Sequence, residues 1–309
     1  MSLKIQIILM SYNRPEFILE AIKSIQNQTY KNIEFVVSDN SSNNVVFDLI
    51  QKSAPEVKIV KRGSNFSMSQ HWNQILSEVS SSGHADYFMM FHDDDIMLPN
   101  CIADLVTLIE QNPTVSAVAG NAYVIRQTSL TDDIFNSRLK ENLLIKNVEE
   151  LGLRYFEAGA GVNPFPGYLY SKKVAQTFKF NNKEAGKHSD VTFLFKALTL
   201  GPIAWAAKPT MNYRIHGSND SVGVDMLALL GLVKIYLRSA KSANAIYHAK
   251  EFTFKNYLLW LKEQNIKKMY KAHPQRVKTI IWSATKFFSQ NPSGMMKYCL
   301  RKFGMADAN

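Results

Sequence analysis

Three consecutive aspartates close the apolar run 87-YFMMF-91 in the segment 91-FHDDDIMLP-99. Two carboxylates about 4 Å apart repel by roughly 4 kcal/mol at an effective dielectric of ~20, a large part of a domain's net stability of about 5–15 kcal/mol. A cation is expected to offset them. Mg²⁺ or Mn²⁺ takes carboxylate oxygens and keeps open positions for phosphate oxygens, so a divalent metal bridging a diphosphate is the chemistry that Asp93, Asp94 and Asp95 suit. The alternative is a solvated acidic turn ahead of the helix that opens at Pro99.

The elements around the triplet say where it must lie. Short apolar runs at 4-KIQIILM-10, 33-IEFVVS-38, 57-VKIVK-61 and 86-DYFMMF-91 read as strands. Helix-period segments separate them. One carries Phe17, Ile18, Ala21, Ile22 and Ile25 on one side, with Asn13 as its expected cap and Pro15 at its opening; the others are 44-NVVFDLIQKS-53 and 68-MSQHWNQILSEVS-80. This alternation predicts an α/β fold with βαβ units and a mostly parallel sheet, and such open sheets bind ligands beyond the carboxyl ends of their strands. Ser11, Tyr12, Asn13 and Arg14 follow the first strand, Asp39, Asn40 and Ser41 the second, and Asp93 to Asp95 the fourth. All three clusters should converge on one edge.

Further along, 99-PNCIADLVTLIEQNP-113 reads as a helix and 115-VSAVAG-120 as a strand. Residues 128–150 read as an irregular surface excursion, 159-GAGVNPFPGY-168 as a loop near the site, and 203-IAWAAKPTMNYRIH-216 as strand-rich. From Asp225 onward the pattern is helical. The expected organisation is an α/β domain over 1–224, which carries the convergent polar edge, and a basic helical region over 225–309.

Composition fits an ordinary globular chain of 309 residues, 46% hydrophobic. No run approaches ~18 uninterrupted apolar residues and the start does not read as a signal sequence, so a cytoplasmic protein is expected. Cys101 and Cys299 have no metal-ligand spacing and are expected to be buried or incidental thiols. The net charge of +10 belongs to the tail: residues 225–309 hold 15 Lys and Arg against 4 Asp and Glu, whereas residues 1–224 hold 21 against 22.

The stretch 5-IQIILMSYNRPEFILEAIKSIQNQTYKNIEFVVSDNSS-42 resembles the opening of family 2 glycosyltransferases of the GT-A (Rossmann-like) fold. The resemblance continues through Asn65 and Asn73 in 65-NFSMSQHWN-73, the D-x-D-type motif at 93–95, 188-HSDVTFLFKAL-198 and 213-YRIHGSNDS-221. It covers roughly residues 3–221, with the motifs in order. What it implies is an inverting, metal-dependent transfer of a hexosyl or N-acetylhexosaminyl group from a nucleoside-diphosphate sugar, a UDP-sugar first, to a glycan or lipid-linked glycan acceptor in surface polysaccharide or lipooligosaccharide synthesis. It further implies that Asp39 binds the base, that Ser11, Tyr12, Asn13, Arg14, Asn65, Asn73, Asp93 and Asp94 line the donor pocket, that Asp93, Asp95 and His216 meet the metal or diphosphate, and that Asp190 is the general base. Two positions depart from the family's pattern: His92 stands where an aspartate is common, and Ser189 where Glu is usual.

Inverting transfer needs a base for the acceptor hydroxyl and a cation for the departing diphosphate, and Asp190 and the triplet fit those roles. Asp190 also fits a plain helix N-cap. His71, His84 and His188 read as ordinary structural histidines, Trp205 and Tyr213 as core, and Phe165 and Tyr168 as candidate acceptor contacts. Aromatics and lysines interleave through 247–271 and 278–288, which suits either a packed helical subdomain or peripheral contact with an anionic membrane at its inner face. No nucleic-acid motif accompanies the charge. A nucleotidyltransferase is disfavoured because no Gly-rich phosphate loop follows the first strand. The remaining alternative is a non-catalytic module that binds nucleotide-sugar or membrane.

Overall fold

The structure, a computed structural model, describes residues 2–63, 66–83, 85–126, 128–157, 161–216, 225–263 and 271–289. Two compact units divide the chain: the first takes Met1–Asn147, Val162–Phe180 and Phe193–Asn219, the second Val148–Gly161, Asn181–Thr192 and Asp220–Asn309. The C-terminal helices are thus grouped with two segments from the middle of the chain.

Among the described residues, the first unit is built on a ten-stranded sheet in the order β3-β2-β1-β4-β9-β6-β10-β5, where β5 (Ile96–Met97) runs antiparallel to β10, with β7 beside β6 and β8 beside β10. Its parallel half is β3 (Ile59–Lys61), β2 (Ile33–Asp39), β1 (Ile5–Ser11) and β4 (Tyr87–His92). Ile5, Ile7 and Leu9 on one face of β1 and Ile8 and Met10 on the other are all buried, as expected for a strand covered on both faces. Helix α1 (Pro15–Gln26) connects β1 to β2 and buries Ile18, Ala21, Ile22 and Ile25, the side foreseen from the 3.6-residue period. Helices α2 (Val45–Ser53), α3 (Met68–Ser81) and α4 (Cys101–Gln111) also follow the expected segments, and the short α6 (Lys172–Thr177) and α7 (Asn182–Ala185) come later in the chain.

The other half is mixed. Strand β9 (Tyr168–Ser171) runs antiparallel between β4 and β6 (Ala117–Arg126), and β10 (Ile203–Ile215) runs parallel to β6. The expected irregular excursion at 128–150 instead contains β7 (Ser129–Ile134), β8 (Leu143–Ile145) and the start of α5 (Val148–Phe156). Among the described residues β7 pairs with β6 and β8 with the start of β10, so backbone pairing holds them without the long apolar runs that would announce them. Tyr168 is fully buried in β9, which corrects its reading as an acceptor contact; Phe165 stacks on Trp72 at 5.2 Å. Trp205 is core, as read from the sequence.

In the second unit, α5 packs with α9 (Met226–Leu237) and α10 (Ala243–Glu263). Gly152 allows the closest approach, because a Cβ there would lie 2.0 Å from the Tyr236 ring. Phe156 meets the rings of Tyr236 and Phe252 at 4.9 and 5.6 Å. A further helix, α11 (Pro274–Ser289), buries Val277, Ile280 and Ala284 and leaves Ile281 and Trp282 exposed. Among the described residues no helix is long and apolar enough to cross a membrane.

Candidate functional site

The register of the parallel half brings the polar residues to one edge. Ser11 pairs with Asp39 across β1 and β2, and Met10 pairs with His92 across β1 and β4, so Tyr12 to Arg14, Asn40 to Ser41 and Asp93 to Asp95 all emerge just beyond the strands. Strand β10 reaches the same edge: the Arg214 N–H donates to Asp95 Oδ1 at 2.9 Å, and His216 Nε2 lies 2.8 Å from Asp94 Oδ2.

Asn13 does not cap α1. It adopts φ of 55°, a left-handed conformation that Asn tolerates better than most residues, and Arg14 takes the position before the helix. Its backbone N–H donates to Ser41 Oγ, and its Oδ1 accepts from the Ser42 N–H and hydroxyl, so it ties the end of β1 to the end of β2. Asp39 is buried; its Oδ1 accepts the Ser41 N–H at 2.9 Å, while its Oδ2 has no hydrogen-bond partner. Beneath it, Ser38 Oγ accepts from Arg62 Nε and meets His71 Nε2 at 2.7 Å. Burial first, then the charge of Arg62, pushes His71 down to about 4, so it is neutral at physiological pH and structural, as read from the sequence.

The three aspartates divide their work. Asp93 Oδ1 accepts from Arg14 Nη1 at 2.9 Å and Asp93 Oδ2 from the Tyr12 N–H at 2.9 Å, which commits both of its oxygens. Burial raises the Asp93 carboxyl to about 6, opposed by Arg14. Asp94 Oδ2 is shared by His216 and Arg14 Nη1, the latter at 3.3 Å, while Asp94 Oδ1 is buried without a partner. Burial works against the Asp94 charge, but His92, Arg14 and His216 outweigh it and hold the carboxyl below its usual range. Asp95 is 1% exposed, and its Oδ2 likewise has no partner. Burial, with Asp94 and Asp93 adding, pushes its carboxyl well above the usual range.

Two arginines therefore carry much of the offset expected from a metal. The less foreseeable one is Arg214, 4% exposed. Its Nε donates to the Asp94 carbonyl at 2.8 Å, its Nη2 pairs with Glu20 at 2.7 Å, and its guanidinium lies 4.5 Å from the centre of the Phe17 ring. It thus fixes the aspartate turn against α1 and β10 from below. A buried Arg in a strand-like run demands an acidic or carbonyl partner, and that is the signal a sequence could have offered.

The described groups close enough to share one metal ion are His92, Asp94 and Asp95, each offering one ligand atom within 4.8 Å of the others. The expected set was Asp93, Asp95 and His216. It differs because Asp93 spends both oxygens on Arg14 and Tyr12, and His216 Nε2 is turned to Asp94. The buried, unpartnered oxygens of Asp94 and Asp95 fit a hard cation, since a polar atom left without a partner in the interior is costly.

Other expected site residues are placed differently. Asn73 clamps the Phe180 backbone, donating to its carbonyl and accepting its N–H, so both ends of its amide are used in holding that segment. Asn65 lies outside the described residues, as do Gly159, His84 and residues 217–221. Asp190 belongs to the second unit, in the first turn of α8 (Ser189–Ala197) rather than ahead of it, and its Oδ1 accepts the Val191 N–H at 2.7 Å. Its environment raises the carboxyl to about 6, chiefly through burial. In the same unit His188 is paired with the Tyr155 hydroxyl at 2.9 Å and is pushed by burial down to about 4.

A family model described as glycosyl transferase family 2 matches residues 6–172. An uncharacterized glycosyltransferase of Haemophilus influenzae is 27% identical over 223 residues, 70% of this chain and 67% of that protein. A GalNAc(5)-diNAcBac-PP-undecaprenol beta-1,3-glucosyltransferase of Campylobacter jejuni is 24% identical over 60% of this chain and 57% of its own length. The chain thus spans between about half and two thirds of the length of these relatives. Among solved structures, S. aureus TarS 1-349 in complex with UDP-GlcNAc superposes with a TM-score of 0.62 at 14% identity, covering 96% of this chain and 91% of that one. That likeness is one of fold, of the GT-A type.

Proposed function

The chain belongs to glycosyl transferase family 2, and from that premise we propose that it moves a sugar from a nucleoside diphosphate, with UDP as the carrier, to a hydroxyl of a lipid-linked glycan, with inversion at the transferred carbon. The observation that carries this reading is the edge at Asp94 and Asp95, where each carboxylate has one oxygen oriented by the protein and one buried oxygen without a partner. A divalent cation held there supplies positive charge for the departing diphosphate. Asp39 Oδ2, likewise without a partner, accepts an N–H of the base, and Tyr12 and Arg14 line the donor pocket. Asp190 takes the proton of the acceptor hydroxyl. Its raised carboxyl is suited to a base, because it holds a proton more strongly than an ordinary carboxylate yet is ionised at neutral pH.

The test is incubation with UDP-sugars, Mn²⁺ and a synthetic polyprenyl-diphosphate-linked sugar, followed by UDP release and the anomeric configuration of the product. The expected result is metal-dependent UDP release with a product opposite in configuration to the donor. Binding of UDP-sugar with neither transfer nor hydrolysis would favour a module that binds without turnover.

The basic helices support a setting on the cytoplasmic face of a membrane. In α11, Trp282 is 64% and Ile281 40% exposed, Lys278 and Lys286 stand one turn to either side of Trp282, and the Lys286 ammonium lies 5.1 Å from the Trp282 ring. Such a face suits an anionic lipid interface, where each basic residue adds about 1 kcal/mol. The protein should co-sediment with phosphatidylglycerol vesicles and not with neutral ones, and Trp282→Ser should release most of the bound fraction. Equal recovery of variant and parent would remove α11 from the contact.

A further inference from the structure

We propose that His92 is a direct ligand of the cation held at Asp94 and Asp95, and that this imidazole turns the site toward Mn²⁺ or Co²⁺ and away from Mg²⁺. The inference rests on the reading that this edge holds a divalent cation, and it concerns the residue by which this chain departs from an all-carboxylate motif.

His92 is the last residue of β4. Its neighbour Phe91 is fully buried in the core, and strand alternation sends His92 to the opposite face, where it is half-buried. A ring nitrogen of His92 and one oxygen from each of Asp94 and Asp95 lie within 4.8 Å of one another, near enough for one ion to touch all three after modest side-chain adjustment. Both carboxylates are prepared as single-oxygen ligands. Asp94 is held through Oδ2 by His216 and Arg14, and Asp95 through Oδ1 by the Arg214 N–H, while Asp94 Oδ1 and Asp95 Oδ2 are buried with no protein partner. Asp95 is almost wholly enclosed, so its second oxygen cannot turn to bulk water instead.

His216 is thereby a positioning residue: its Nε2 is engaged with Asp94, and it acts on the ion through that carboxylate. The choice of ion follows from ligand chemistry. Mg²⁺ is held by oxygen ligands in strict octahedral geometry, whereas an imidazole nitrogen is a better ligand for the later divalent metals, with Mn²⁺ tolerating mixed nitrogen and oxygen sets.

The test is electron spin-echo spectroscopy of Mn²⁺ bound to the full chain in the presence of UDP, which detects a directly coordinated nitrogen without reference to activity. Wild type should give nitrogen modulation. His92→Gln should lose it, and His92→Asp should bind Mn²⁺ without it while narrowing the preference for Mn²⁺ over Mg²⁺; the second variant serves if the first does not fold. His216→Gln should keep the modulation while weakening Mn²⁺ by roughly 10–100-fold, as removal of an outer partner does. Bound Mn²⁺ with no nitrogen modulation in wild type would overturn the role of His92 and leave the metal reading intact. Modulation lost in His216→Gln but kept in both His92 variants would transfer the role to His216. Failure of Mn²⁺ to bind at all would remove the metal reading together with this inference.

Discussion

Asp190→Asn is expected to lower sugar transfer by about 10²–10⁴-fold while leaving UDP affinity nearly unchanged, the loss typical of a missing general base. The substitution keeps the acceptor atom that receives the Val191 N–H, so the first turn of α8 survives. The pH dependence gives an independent reading. With the carboxyl raised to about 6, transfer by the wild type should fall roughly tenfold per pH unit below that value and be flat above it. Stability moves in the opposite sense. A carboxyl whose folded pKa lies above its ordinary value of 3.8 is favoured protonated in the fold, so the cost of its charge appears as pH rises from there and is complete above about 6. Asp190→Asn should therefore melt above the wild type at neutral pH and converge with it in acid. Equal loss of transfer and of UDP affinity would make Asp190 a structural residue.

The second large effect is expected at Asp95. Asp95→Asn removes a charge enclosed beside two other carboxylates but keeps an acceptor for the Arg214 N–H. In chelator-treated buffer the variant should melt higher than the wild type, because burial and the neighbouring aspartates disfavour the charge that it lacks. In the presence of Mn²⁺ it should lose metal-dependent UDP binding by roughly 100-fold or more, a larger effect than loss of an outer partner. A site that costs stability when empty of charge compensation and acquires its value from a ligand predicts these opposite signs. Thermal melts with and without Mn²⁺ and UDP measure both; full retention of the metal-dependent response would move the cation elsewhere.

Much of the site was legible in the sequence because the parallel half of the sheet obeys a simple rule. Each strand is a short apolar run, each ends in polar residues, and parallel pairing must bring those ends to one edge, where Ser11 stands opposite Asp39 and Met10 opposite His92. What was not legible depends on long-range pairing. Arg214 is 119 residues from Asp95, and in one dimension it is only a cation in a strand-like segment. The division of labour among three adjacent aspartates is set by what reaches each of them: Tyr12 and Arg14 for Asp93, His216 for Asp94, Arg214 for Asp95. Strands β7 and β8 are not legible in the sequence for a different reason. They are short, and β7 is largely exposed, so neither presents the alternation that marks a half-buried strand. Asn13 had the composition of a helix cap, but its left-handed backbone turns its side chain to Ser42 instead.

These findings change the answer to why three like charges are tolerated at the end of β4. Arg14, Arg214 and His216 hold the turn together, and of the six carboxylate oxygens only Asp94 Oδ1 and Asp95 Oδ2 are left buried without a partner. The proposed division is that the protein secures the fold of the turn and the ligand completes its electrostatics.

The central claim is that this edge binds a nucleoside diphosphate through a divalent cation, and it is tested most directly by the melting temperature of the wild-type protein against UDP, GDP and their sugars, with and without Mn²⁺. The account predicts a metal-dependent rise with UDP and UDP-sugars, equivalent to about 2.7 kcal/mol when the ligand is at ~100 times its dissociation constant. No rise with any nucleotide in the presence of Mn²⁺, or the same rise with and without the ion, would contradict it.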